Sequence, residues 1–390
     1  MITHSDRLPR DLAPNRLSEA IARRRASGAP VADLTESNPT RAGLAHPLDL
    51  LGPLSDPAAL VYDPQPFGLA SARAAVVADY ARRGVATHVD RVCLTASTSE
   101  AYAWLFKLLC NAGDRVLVPR PSYPLFEHLT ALECVEASPY ELDPHGHWRL
   151  DVEALRRQID DRTRAVLVVS PNNPTGSVLE HGELEALATV CAAHGLVLIG
   201  DEVFADYRLD GLDATSVLAQ DMAPAVSLGG LSKSAGLPQV KVAWMAIGGP
   251  EADAARLITG LEIVADTFLS VSTPAQVALP HLLACGADVR DQIRRRTARN
   301  LDALAEVVAG TPQVTLQRPA GGWCAVLQVP STCAEETLVL DLLEQDGVLV
   351  HPGYFFDFPR EAYLVVSLLT APDVFDAALP RVLARVTEAA

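Results

Sequence analysis

Residues 227–244 read SLGGLSKSAGLPQVKVAW. A short apolar run ends in two glycines, then a lysine, Lys233, stands between two serines, and a further cation, Lys241, follows. Two earlier stretches share this pattern of an apolar run closed by a polar group. PNNPTG (171–176) puts Asn173 just after AVLVVS (165–170), and DEVFADY (201–207) puts Asp201 near the end of LVLIGDE (196–202). A carboxylate at the end of a buried strand is costly unless it is paired. Asp201 therefore asks for a cationic partner.

Working outward, the same kind of run recurs from about residue 90 to residue 275, in RVCLTA (91–96), RVLVP (115–119), AVSLGG (225–230) and VAWMAIGG (242–249). Near-continuous apolar character fits strands buried on both faces of a mostly parallel sheet. Helical patterns lie between the runs, at 98–111, 152–159 and 182–195, and another precedes them at 68–84. That alternation predicts an α/β domain. In such sheets ligands bind at the carboxyl ends of the strands, where Ser97, Asn173, Asp201 and Lys233 all fall. From about residue 280 the character changes. A long polar helix (288–310) leads to strand-like segments near 314–329 and 363–369, with helices at 334–346 and 373–388. The expected division is 1–45 as an N-terminal arm (with a helix near Leu17–Ser27) and part of a small domain, 46–275 as the large domain, and 276–390 as a smaller α+β domain.

Bulk properties narrow the function. Apolar residues make up 49% and charged residues 21%, which allows a sizeable core. A net charge of −16 argues against nucleic-acid binding, which needs a basic footprint. The seven cysteines form no CxxC pair and the histidines no HExxH, so buried reduced thiols are expected and no metal site. The N-terminus lacks an apolar signal core and no run approaches the roughly 18 residues of a membrane span. A cytoplasmic protein without membrane insertion is expected.

The ordered set Asn173, Asp201, Lys233, Lys241 answers the demands of one cofactor, pyridoxal 5'-phosphate (PLP). Its aldehyde needs an amine, its ring nitrogen a carboxylate, its phenolic oxygen a donor, and its phosphate backbone N–H groups and a cation. Each residue also has an ordinary reading: a loop lysine, a helix-capping aspartate, an N-P-T-G turn. Their joint order favours the cofactor.

On these segments the chain resembles the class I/II aminotransferases, PLP-dependent enzymes with the aspartate-aminotransferase fold (fold type I). The resemblance runs from YDPQPFGLASARAAVVADY (62–80) to the C-terminal small domain. It implies an α/β PLP-dependent transferase fold, with a mostly parallel sheet in a large domain beside a smaller α+β domain. By resemblance Lys233 is the catalytic lysine, which carries the cofactor and then shuttles a proton. Asp201 meets the ring nitrogen and Asn173 the phenolic oxygen. Ser97, Thr98 and Ser99 begin a helix whose N-terminus suits the phosphate, with Ser232 and Lys241 completing the cup, although Ser97 and Glu100 also spell a capping box. Tyr123 matches the aromatic residue over the ring face. Tyr62 matches the tyrosine sent across a homodimer interface to the other subunit's phosphate, or is an ordinary core or turn tyrosine.

Three departures from the family pattern stand out. Phe204 occupies a position that is often tyrosine, three residues after the ring-nitrogen aspartate. Lys241 replaces an arginine, and supplies charge without the two-pronged fork; Gly230 also replaces a frequently hydroxyl-bearing residue. Third, in YLVVSLLT (363–370) Val365 stands where relatives hold the substrate α-carboxylate with the arginine of an R-x-S motif. Arg41, with Asn38 in ESNPTRAGL, is the candidate substitute, evenly weighed against a solvated loop arginine. No arginine in 265–274 matches the one that binds a dicarboxylate side chain, which disfavours aspartate and glutamate as preferred substrates. The expected activity is ping-pong amino transfer from an amino acid to a 2-oxo acid. The alternative is β-elimination from a sulfur amino acid, or cyclisation, on the same fold. A noncatalytic sensor would need a DNA-binding domain for which the N-terminal 60 residues are too few.

Overall fold

The computed structural model describes residues 3–389, and all counts are of these residues. The N-terminal arm carries helix α1 (Arg16–Ala26), capped by the Asn15 side chain, and strand β1 (Ala32–Asp33). Helix α2 (Ala70–Arg82) leads into the large domain, built from β2 (Val92–Thr95), α3 (Thr98–Leu109), β3 (Arg115–Arg120), α4 (Leu125–Leu132), β4 (Glu136–Asp143), β5 (Arg149–Leu150), α5 (Val152–Arg156), β6 (Thr163–Val169), α6 (His181–His194), β7 (Val197–Asp201), β8 (Ala225–Gly230), the single turn α7 (Leu231–Ser234), β9 (Ala243–Gly248) and α8 (Glu251–Phe268). A 37-residue helix, α9 (Thr273–Ala309), follows. The remainder is β10 (Thr315–Gln317), β11 (Cys324–Gln328), α10 (Glu335–Glu344), β12 (Val348–Leu349), β13 (His351–Pro352), β14 (Tyr363–Ser367) and α11 (Pro372–Glu388).

The large sheet has the order β2-β9-β8-β7-β6-β3-β4-β5. Its centre is parallel, from β8 through β7, β6 and β3 to β4. β9 runs antiparallel to both β8 and β2. The expected α/β architecture with a mostly parallel sheet is present. Alternate residues explain the unbroken apolar runs: Val116, Leu167 and Ile199 pack under α3 and α8, whereas Leu117, Val166 and Leu198 pack under α6. Both faces are covered, so neither position of the two-residue repeat can be polar.

A four-stranded antiparallel sheet, β10-β11-β14-β13, forms the small domain with α10 and α11. The arm joins it through β1, which pairs in parallel with β12. The polar helix expected at 288–310 is the second part of α9. That helix begins at Thr273 and passes through Pro280. Its first turns bury Ala278, Leu279 and Leu282 beside the large sheet, and its last bury Leu301 and Leu304 in the small-domain core. One rigid element thus serves both domains.

Candidate active site

Strand register assembles the site. Gly230 at the end of β8 faces Ala243 at the start of β9, and Ala243 faces Thr95 at the end of β2. Neighbouring strands lie about 5 Å apart. The residues just beyond these three, Ser232 and Lys233, Lys241, and Ser97, therefore meet at one edge of the sheet. Asp201 closes β7 beside Leu228, and Val169, the last residue of β6, lies next to Asp201. Asn173 and Tyr123 follow β6 and β3 at the same carboxyl edge.

Lys233 sits in α7. Its Nζ lies 4.7 Å from the Trp323 ring centre and 5.3 Å from that of Phe204. Burial against these rings pushes its pKa down, against the pull of the Asp201 carboxylate, which favours the charged form. A larger neutral fraction makes the amine a better nucleophile and base. Two hydrogen bonds fix the turn's backbone: Tyr207 Oη donates to the Lys233 carbonyl at 2.5 Å, and Arg290 donates to that of Ser234 at 2.9 Å.

Asp201 is buried, and burial pushes its pKa up against the Tyr102 and Val203 hydrogen bonds and the charge of Lys233. Tyr102 donates to Oδ2 at 2.6 Å and the Val203 N–H to Oδ1 at 3.2 Å. Asn172 and Asn173 divide their labour. The Asn172 amide donates to Pro121 and Thr175 and holds the turn. The Asn173 Oδ1 accepts from the Cys324 thiol at 3.5 Å, and its amide nitrogen has no hydrogen-bond partner among the described residues. Burial raises the Cys324 thiol to about 12, so it stays protonated as that donor.

Ser97 caps α3 by accepting from Glu100 N–H at 3.1 Å. The Glu100 carboxylate bonds Ala96 N–H and Ser270 rather than the N-cap residue, so the expected capping box is half formed. The N–H groups of Thr98 and Ser99, on the first turn, have no acceptor within the helix. Lys241 is exposed, with φ +60°, and forms no ion pair among the described residues.

Other expected residues lie around this edge or away from it. Tyr123 is half exposed beside it. Tyr62 is 74% exposed and lines a cleft with Leu269, Ser270 and Thr273 that includes none of the Lys233 cluster. Asn38 spends its side-chain oxygen on the turn, accepting from Thr40 N–H at 3.0 Å and its hydroxyl at 2.8 Å. Arg41 leaves that turn exposed and without an ion pair among the described residues. The next residue, Ala42, packs in one cluster with Phe204 and Trp323, and its carbonyl accepts from Arg296 at 2.9 Å. Val365 is fully buried against an aromatic cluster that includes Phe356 and Tyr363, so this position holds apolar core.

The donor set fits PLP. A buried carboxylate, a desolvated amine, a free amide donor and an open helix N-terminus with two hydroxyls and a cation share one edge. Sequence reasoning missed Tyr102, Tyr207 and Cys324 as members of the site, because nothing in their local patterns separates them from core residues.

Comparison with known proteins agrees with this geometry. Residues 61–378 match the family described as Aminotransferase class I and II. A glutamate-pyruvate aminotransferase of Escherichia coli is 29% identical over 320 residues, covering 79% of this chain and 78% of that protein. An alanine aminotransferase of Mycobacterium tuberculosis is 31% identical over 316 residues, covering 78% of this chain and 73% of that protein. The crystal structure of an aminotransferase from Escherichia coli superposes with a TM-score of 0.88 at 26% identity, covering 99% of this chain and 98% of that one.

Proposed function

The chain belongs to the class I and II aminotransferase family and is an aminotransferase, and from that premise we propose that it holds pyridoxal 5'-phosphate at the Lys233 edge and exchanges an amino group between an amino acid and a 2-oxo acid, at least one half of the pair a small or apolar monocarboxylate. The juxtaposition of the buried Asp201 carboxylate with the desolvated Lys233 amine carries this reading.

When bound, PLP supplies the electron-withdrawing ring that makes the substrate α-proton acidic. The chain does the rest. Asp201 would keep the ring nitrogen charged and Asn173 would donate to the phenolic oxygen. The α3 N-terminus, Ser232 and Lys241 would hold the phosphate, and Tyr123 would cover one ring face. Lys233 would hold the cofactor's aldehyde carbon and, with its amine free, would carry the proton to and from the substrate α-carbon. Its lowered pKa suits a base working near neutral pH.

The substrate carboxylate falls to Arg41 on the turn made by Asn38, anchored by Arg296. Phe204, Trp323 and Cys324 face the reacting amine and offer no cation to a second carboxylate. The relatives, alanine and glutamate-pyruvate aminotransferases, are in keeping with a small monocarboxylate on one side of the exchange. The exposed run Leu60, Val61, Tyr62 supports a homodimer in which Tyr62 serves the other subunit's phosphate. The reading includes a cytoplasmic location; no described helix is long and apolar enough to cross a membrane.

The test is a panel of single amino acids mixed with the PLP-loaded protein. A small apolar donor should yield its 2-oxo acid and pyridoxamine phosphate one for one. Release of ammonia or a thiol, with the cofactor left as PLP, would establish elimination instead.

A further inference from the structure

We propose that Tyr102 is a positioning residue for the reaction: its hydroxyl locks the Asp201 carboxylate and sets how firmly the cofactor's ring nitrogen is protonated. The inference rests on the reading that this ring nitrogen meets Asp201.

Tyr102 lies on α3, one turn beyond the residues assigned to the phosphate. The same helix would thus grip the cofactor at two ends. The side chain is buried, with its ring stacked on Phe106 (centroids 6.1 Å apart) and edge-on to Phe126 (5.4 Å). These contacts leave the hydroxyl one direction, toward Asp201 Oδ2 at 2.6 Å. An ionised carboxylate can only accept, so the phenol is the donor. Burial and the Asp201 charge both hold its pKa well above the usual tyrosine value, so it stays a donor throughout the working range.

Asp201 then has one donor on each oxygen, Tyr102 on Oδ2 and the Val203 N–H on Oδ1. Each oxygen keeps a second lone pair. The carboxylate plane is held from two independent elements, α3 and the turn after β7. A short O–H···O⁻ bond also stabilises the anion over the acid. In a buried pair of carboxylate and ring nitrogen, that bias places the shared proton on nitrogen. Without it, burial favours a neutral pair in which the acid keeps the proton and the ring loses its pull on the α-carbon. Phenylalanine at this position would fill the same aromatic space, so the fold does not require the hydroxyl.

The test uses holoenzyme loaded with PLP labelled with ¹⁵N in the ring, compared among wild type, Tyr102→Phe, Asp201→Asn and a protein carrying 3,5-difluorotyrosine, a stronger donor, at position 102. The Tyr102→Phe signal should move toward that of an unprotonated pyridine, and kcat should fall roughly ten-fold with KM little changed, the loss of one charge-assisted bond. The difluorotyrosine protein should move the signal the other way, and it serves as the test alone if Tyr102→Phe does not fold. If Asp201→Asn shifts the signal while neither change at position 102 does, Tyr102 is only packing and the inference is overturned. If Asp201→Asn leaves the signal unmoved, the ring nitrogen does not meet Asp201, and the underlying reading fails instead.

Discussion

The two halves of the site are built on different principles. The proposed cofactor half sits at one edge of the buried sheet, where register brings Ser97, Lys241, Lys233 and Asp201 together. Asp201 and Lys233 are desolvated there, whereas Lys241 is exposed and has no ion-pair partner among the described residues. The proposed substrate half comes from the arm and the small domain, in loops held by hydrogen bonds such as those of Arg296 on Ala42 and Gln292 on Ala45. Its expected anchor position, Val365, is apolar core, and its one candidate cation, Arg41, is exposed. On the proposed function, the sheet dictates the chemistry whereas the loops choose the substrate. Change in the second half leaves the first intact.

The largest effect is expected at Lys233. Replacing it with alanine should lower kcat by about 10⁴-fold, because carrier and proton shuttle are lost together. A stopped-flow half-reaction measures this. A loss under ten-fold would break the claim that the sheet edge holds the chemistry.

Restoring the family's arginine should fail as a repair. Val365→Arg buries an unpaired cation opposite His351, whose imidazole is itself held neutral by burial with a pKa of about 4. The expected cost is about 3–5 kcal/mol of stability, read from urea unfolding. A stable and more active variant would mean that the carboxylate site never moved.

Asp201 links the cofactor half to pH. Its folded pKa is raised above the unfolded value. Its contribution to stability is therefore fully present below the ordinary carboxylate range and is lost as pH rises through the raised folded value. In the cofactor-free protein, Asp201→Asn should remove this loss and leave stability at pH 7 equal or higher. The same change should reduce kcat by roughly 10²–10³-fold. Thermal unfolding across pH, paired with activity, separates the two effects.

In the substrate half, Arg41→Ala should raise KM for the amino acid by about 10–100-fold with a smaller change in kcat, the value of a charged hydrogen bond. Equal KM values would reduce Arg41 to a solvated loop residue. Smallest of all, Tyr62→Phe should weaken PLP retention only a few-fold, as expected for one hydrogen bond. The effect should vanish under dilution that separates the subunits, followed by light scattering.

Legibility in the sequence follows the same divide. The strands flanking Asn173, Asp201 and Lys233 announce themselves because both faces are buried and every residue is apolar. β4 escaped, since ECVEASPYELD alternates buried and exposed residues at the rim of the sheet. The antiparallel sense of β9 is carried by the short connection from α7, which no periodicity records. Within the site, Lys233 and Asp201 stand out as charges in apolar surroundings. Tyr102 and Tyr207 do not, because a buried tyrosine looks the same whether its hydroxyl meets a catalytic carboxylate or a spare carbonyl. The start of α9 was missed because its first turns, buried against the large domain, are apolar where the later turns are charged.

The chain has three lysines, Lys107, Lys233 and Lys241, and Lys107 is paired with Glu133. Borohydride reduction of the PLP-loaded protein, followed by peptide mass mapping, therefore has a short list of outcomes. A pyridoxyl group is expected on Lys233 alone, and it should disappear when a small amino acid is added before the reductant. Attachment at Lys241 or Lys107, or none at any lysine, would contradict this expectation.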